Sequence, residues 1–133
     1  MALGIATAVR NTKMNAIPAA IDAGAGPGFL RGYDGVRPAT GGAVTTLLFE
    51  LTFSDPSFAV AGSGSITANA INLDPLANNN GTATWFRVTD SVGTFIMDGD
   101  VSTAGADCNL DSVSIILGKQ VEITSMILTD GDA

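Results

Sequence analysis

The chain has 133 residues, 46% hydrophobic and 14% charged, with 6 Lys+Arg against 13 Asp+Glu and a formal net charge of −7. That balance excludes an intrinsically disordered chain and fits one domain large enough to fold without disulfide or metal. It also argues against nucleic acid or an anionic membrane surface as partner, because no basic stripe is present to meet phosphate.

Residues 4 to 23 form the one helical stretch. Ile5, Val9, Ala16, Ile17, Ala20 and Ile21 approximate helical spacing, and Gly24 supplies a stop. Pro18 interrupts the pattern and lacks a backbone donor, so a kink or short break is expected there. The start of the chain has neither a basic region nor a long apolar run, so no secretory signal is read. No apolar run approaches the roughly 18 residues of a membrane span.

After Gly24 the text becomes strand-like. Gly24 to Gly28 reads as a linker, and Phe29 to Tyr33 as a first strand. Residues 34 to 42 are a loop by their Gly and Pro content. Thr46 to Phe53 alternates, with Leu47, Phe49, Leu51 and Phe53 on one face. Ser65 to Ile71 is a further strand, and Asp74 to Gly81 a polar loop. Thr82 to Thr89 and Thr94 to Val101 predict a hairpin across Asp90-Ser91-Val92-Gly93, whose Asp-first, Gly-last order suits a type I turn. Val113 to Leu117 and Gln120 to Leu128 predict a second hairpin around Gly118-Lys119, of type II′.

The sum is a mainly β fold. It is expected to be an antiparallel β-sandwich or jelly-roll-like domain of about seven strands with one N-terminal α-helix. A single domain spans 1–133, with helix and linker over 1–28 and the sandwich over 29–133. The predicted core is Leu47, Phe49, Leu51, Phe53, Phe86, Val88, Phe95, Met97, Ile115, Val121, Ile123 and Ile127.

Catalytic chemistry finds little to work with. The chain has no His, hence no usual general base near neutral pH and no partner for a Cys108 nucleophile. Gly62-Ser63-Gly64 is not a nucleophile elbow, and Gly24 to Gly28 lacks the Lys-Ser/Thr of a phosphate loop. Asp107-x-Asn109-x-Asp111 resembles the start of a calcium loop, but Ser112 stands where Gly is required and Gly118 where a bidentate Glu is required. Asp98-Gly99-Asp100 and Asp130-Gly131-Asp132 offer further oxygens between loops. No catalytic residue, cofactor or metal is assigned, and no enzymatic activity is expected.

Trp85 and Arg87 alternate with Phe86 and Val88, so both faces of that strand carry large groups. This fits a contact with another subunit or a sugar; it fits better a central core strand with Arg87 paired to an Asp. The N-terminal segment 1–28 is expected to serve assembly, its apolar stripe docking on a neighbouring copy or on the protein's own sheets. The candidate interface residues are Ile5, Val9, Arg10, Lys13, Ile17, Trp85 and Arg87. Asn80-Gly81-Thr82 matches a glycosylation sequon but lacks a secretory route to make use of it.

Several runs together resemble a family of small proteins found in tailed-phage genomes. They are Ile21 to Gly24, Arg37 to Gly42, Leu51 to Pro56, Gly81 to Ser91 and Asp98 to Val101, while Pro18 and Cys108 depart from its pattern. The resemblance implies a virion structural role. Capsid cement or decoration proteins, which clamp neighbouring major capsid subunits as dimers or trimers, are the first expectation. A tail or head–tail connector component is the alternative, and a carbohydrate-binding β-sandwich of a fibre or adhesin a more distant one. The expected partners are major capsid or other virion proteins and further copies of the chain. The expected location is the virion, after synthesis in a bacterial cytoplasm.

Overall fold

The computed structural model describes residues 4–130. One helix, α1 (Thr7–Ile21), precedes nine strands: β1 (Phe29–Tyr33), β2 (Leu47–Thr52), β3 (Ser65–Thr67), β4 (Gly81–Thr82), β5 (Trp85–Thr89), β6 (Phe95–Ser102), β7 (Cys108–Leu110), β8 (Ser114–Ile115) and β9 (Ile123–Thr129). Seven form a curled mixed sheet in the order β2-β1-β5-β6-β7-β9-β3, and β4 pairs with β8. The β-sandwich-like class and the single helix are as expected. The sheet is not wholly antiparallel, however, because β6 and β7 run parallel. Residues 107–111 read as a polar loop in sequence, since the three residues of β7 are too few to show a period.

Helix α1 passes through Pro18 without a break. Pro18 lies in the last turn, where only the bond to the Met14 carbonyl is forfeited, and its own carbonyl still accepts from Asp22. The buried stripe is Met14 and Ile21 with Ile17 packed alongside, whereas Ala16 and Ala20 are exposed. The helix therefore docks on its own sheets. Its polar side chains fasten it: Asn11 accepts from Gly64 N–H at 2.8 Å, Asn15 from Ala61 N–H at 2.8 Å, and Asp22 from Ser57 N–H at 3.0 Å. Three backbone donors of the short loop 57–64 are thus satisfied by side chains of the helix and of its C-cap.

Both edges of the sheet are covered. On the β2 side, Asn72 and Asn78 donate to Thr52 and Leu48 carbonyls, Asn79 Nδ2 donates to Leu47, and Asp74 Oδ2 accepts from Glu50 N–H. On the β3 side, Ala59 donates to Thr67, and Gly62 and Ser65 exchange both backbone bonds. Covered edges offer no row of free groups to a neighbouring chain.

Three bulges decide which residues face inward. Gly32 opposes Phe49 and Tyr33 opposes Leu47, so Leu48 is the extra residue and both Leu48 and Phe49 are buried. Gly32 has room only for hydrogen there, because a Cβ would lie 2.1 Å from the Phe49 ring. Ile96 is extra opposite Val88/Thr89, which leaves Phe95 partly exposed and off the core face. Thr124 is extra opposite Asn109/Leu110, so Met126 and Leu128 point inward and Ile127 outward. Of the expected core, Phe49, Leu51, Phe53, Phe86, Val88, Ile115 and Val121 are buried, Leu47, Met97 and Ile123 partly so, and Phe95 and Ile127 are not.

The hairpin across Asp90 forms as expected. Its carboxylate accepts from Val92 and Thr94 N–H, and Gly93 sits at φ 89°. The hairpin around Gly118 does not. Lys119 N–H closes onto the Ile116 carbonyl with Gly118 (φ 77°) third in the turn. β8 pairs instead with β4, and β9 with β7 and β3.

Candidate functional site

Two surfaces lie outside the main core. The first is the outer face of β2, β1, β5 and β6, where Phe86 and Val88 turn inward and Trp85 and Arg87 outward. In register across these strands stand Glu50, Arg31, Arg87 and Asp98. Two adjacent guanidinium groups would repel, but each is held by the acid on its far side. Arg31 Nε meets Glu50 Oε2 at 2.7 Å. Arg87 meets Asp98 with Nε–Oδ1 at 2.7 Å and Nη2–Oδ2 at 3.0 Å, a bidentate pair whose side chains are 12% and 3% exposed.

A lid of residues 34–46 completes this region. Arg87 Nη2 donates to the Gly42 carbonyl, and Gly41 N–H donates to Asp98 Oδ2. Trp85 Nε1 donates to the Asp34 carbonyl and Thr45 Oγ1 at 3.1 Å each. The Arg87 guanidinium lies between the rings of Trp85 and Phe95, at 5.4 and 5.0 Å from their centres. Tyr33 stacks on Trp85 with centroids 4.5 Å apart. Burial raises the Tyr33 hydroxyl above its ordinary pKa, against the nearby arginines. Burial alone would raise Asp98 as well, but hydrogen bonds from Arg87 and Gly41 and the charges of Arg87 and Arg37 bring it below its ordinary value.

This face is therefore closed on itself. Trp85, expected as a contact, has no exposed surface, and Arg87 is spent on Asp98. The aromatic platform that a sugar site needs is inside, since Tyr33 and Trp85 are both buried. The N-terminal candidates divide. Arg10 donates to the Asp130 carbonyl, Lys13 pairs with the Asp130 carboxylate at 3.0 Å, and Ile17 packs on the core. Ile5 is half-buried, and Val9 stays exposed.

Cys108 is fully buried, and burial first, then the Asp107 charge, pushes its thiol up to about 12. It is protonated at neutral pH and a poor nucleophile. Asn109, in the calcium-like run, instead bridges its own loop, accepting from Ala106 N–H and donating to the Ala106 carbonyl. Among the described residues no three acidic or sulfur side chains gather as metal ligands. Gly131 and Asp132 of the other acidic run lie outside the described residues.

The second surface is open. The loops 73–80 and 116–121 are bonded to each other: Ala77 N–H donates to the Lys119 carbonyl, Gly118 N–H to the Ala77 carbonyl, and Leu117 N–H to Asn80 Oδ1. Asp74, buried, bridges Val121 through both backbone bonds and accepts from Leu76 N–H at 3.0 Å. On this rigid pair Leu76 is 67% exposed, Leu117 57%, Ile116 54% and Leu73 41%. Beside them an open groove of ≈ 250 Å³ runs between Asp111-Ser112 and Ile116-Lys119.

Sequence reading missed this patch by treating residues 74–81 as a polar loop. The available signal was Ile115-Ile116-Leu117. Three successive apolar residues on a strand with one buried face must expose at least one. Comparison with protein-family models, curated proteins and solved structures returns no match. No helix among the described residues is long and apolar enough to cross a membrane.

Proposed function

We propose that this protein is a non-enzymatic structural component of a tailed-phage virion, and specifically a capsid cement or decoration protein that clamps neighbouring major capsid subunits. The observation that supports an assembly role is the loop pair carrying Leu73, Leu76, Ile116 and Leu117. Large apolar side chains left exposed on two loops bonded to each other suit an interaction site, and loops tied by this many hydrogen bonds present them with little ordering cost on binding. The resemblance of the Arg37 to Gly42, Leu51 to Pro56 and Gly81 to Ser91 runs to small tailed-phage proteins supplies the virion context. Because both sheet edges are covered, clamping works through loop surfaces and not through strand addition.

Copy number in purified particles tests the reading. Hundreds of copies per particle, with density over capsid subunit boundaries in a cryo-EM map, are expected. A single ring of copies at the portal would transfer the assignment to a tail or connector component. Absence from particles would remove the virion role altogether.

A further inference from the structure

We propose that the surface of Leu73, Leu76, Ile116, Leu117 and Lys119 docks an apolar segment of a different protein that carries one carboxylate placed to meet Lys119. This rests on the assembly reading and names the partner's chemistry.

Lys119 carries the inference. Lys13, Arg31, Arg37 and Arg87 each pair with a carboxylate, and Arg10 donates to the Asp130 carbonyl. Among the described residues, Lys119 makes no ion pair, although acids outnumber cations 13 to 6. It closes the turn that exposes Ile116 and Leu117, and its carbonyl holds the loop of Leu76. Lys119 also lines the groove that Ile116 borders, so a partner seated there would take water from its side chain too, which is costly unless a carboxylate arrives with the partner.

A second copy is the poorer occupant. Two chains of charge −7 repel, and a twofold contact through this patch would bring one Lys119 towards the other. The neighbouring groove, with Ile115, Ile116 and Val121 along it, seats an apolar side chain. Asp111, which also lines it, disfavours a second acid, so the segment is apolar with a single carboxylate.

The full chain, labelled with ¹⁵N, is titrated with two synthetic amphipathic peptides of one Leu/Ala pattern, one bearing a single Glu and the other a Lys in its place. The Glu peptide is expected to bind about tenfold tighter, with amide shifts confined to residues 73–77 and 116–121. Lys119→Glu is expected to reverse the preference, and Asp111→Asn to tighten the Glu peptide. Equal binding of the two peptides, shifts elsewhere, or no binding would overturn the proposal. So would self-association in sedimentation that Leu76→Ser abolishes, since the occupant is then a second copy. Particle incorporation separates the two levels. If Leu76→Ser with Leu117→Ser incorporates normally, the assembly reading itself fails. If that variant is excluded while Lys119→Glu incorporates like the parent, only the acidic partner is lost.

Discussion

The outer face of β1, β2, β5 and β6 and the loop pair 73–80/116–121 both hold large side chains away from the main core, and they treat them in opposite ways. On the sheet face, Trp85, Arg87 and Tyr33 are roofed by residues 34–46, and every charge in the row from Glu50 to Asp98 has a partner within the chain. On the loop pair the backbone is what is satisfied. Its bonds run through Asp74, Ala77, Asn80 and Lys119 and leave Leu76 and Leu117 in water. The lesson is that conspicuous residue types do not mark the open surface. Tryptophan and arginine are here internal structure, whereas plain leucines on a braced turn are available for contact.

The comparison breaks most visibly at Arg87. Arg87→Ala leaves Asp98 buried without its counter-charge and should cost about 3–5 kcal/mol in chemical denaturation; a loss near zero would mean that the face is solvated. The acid limb sharpens this. The folded Asp98 carboxyl lies below its unfolded value, so its stabilisation is present above the unfolded pKa, near 4, and fades as pH falls through the folded one. Asp98→Asn should flatten that limb of a stability–pH curve.

Next in size is Asp74→Ala, which strips the acceptor from the Glu50 and Leu76 N–H groups. A loss of about 1–3 kcal/mol is expected, with hydrogen exchange accelerating over residues 73–80 while the sheet face keeps its protection. Gly118→Ala meets open space but forces φ 77° on a residue with a Cβ. It should cost about 1–2 kcal/mol and perturb amides 116–121 alone. The smallest effect on folding is the most informative. Leu76→Ser and Leu117→Ser should each stay within about 0.5 kcal/mol of the parent, yet abolish incorporation into particles. If either instead unfolds the protein, the loop pair belongs to the core and the contrast disappears.

Much of the fold was legible because strands announce themselves by a period of two. Phe29–Tyr33 and the Asp90 hairpin emerge where they were expected, since alternation and turn chemistry there agree. Met126 and Leu128 were not legible. Val121, Ile123 and Ile127 share one face by period two, broken only by Ser125, and the extra Thr124 opposite β7 turns Ile127 to solvent. Met126→Ala against Ile127→Ala, about 2–5 kcal/mol against a much smaller loss, measures that flip. The candidate site was less legible still. Leu73 and Leu76 sit far in sequence from Ile116 and Leu117, and nothing local couples them.

By itself the sequence determined the class of the molecule. The apolar fraction requires a core, the alternation requires strands, the Asp90–Gly93 and Gly118 turns require reversals, and the lack of His removes the commonest base and metal ligand. Tertiary structure alone decided the parallel β6–β7 pair, the path of β8 to β4, the three bulges, and the seating of α1 on Ser57, Ala61 and Gly64. The physical reason is one of range. Side-chain period and turn preference act over a few residues and are written in the chain. Register, bulges and the choice between a buried and an open surface depend on which distant strand lies opposite, and that is fixed only when the whole core closes.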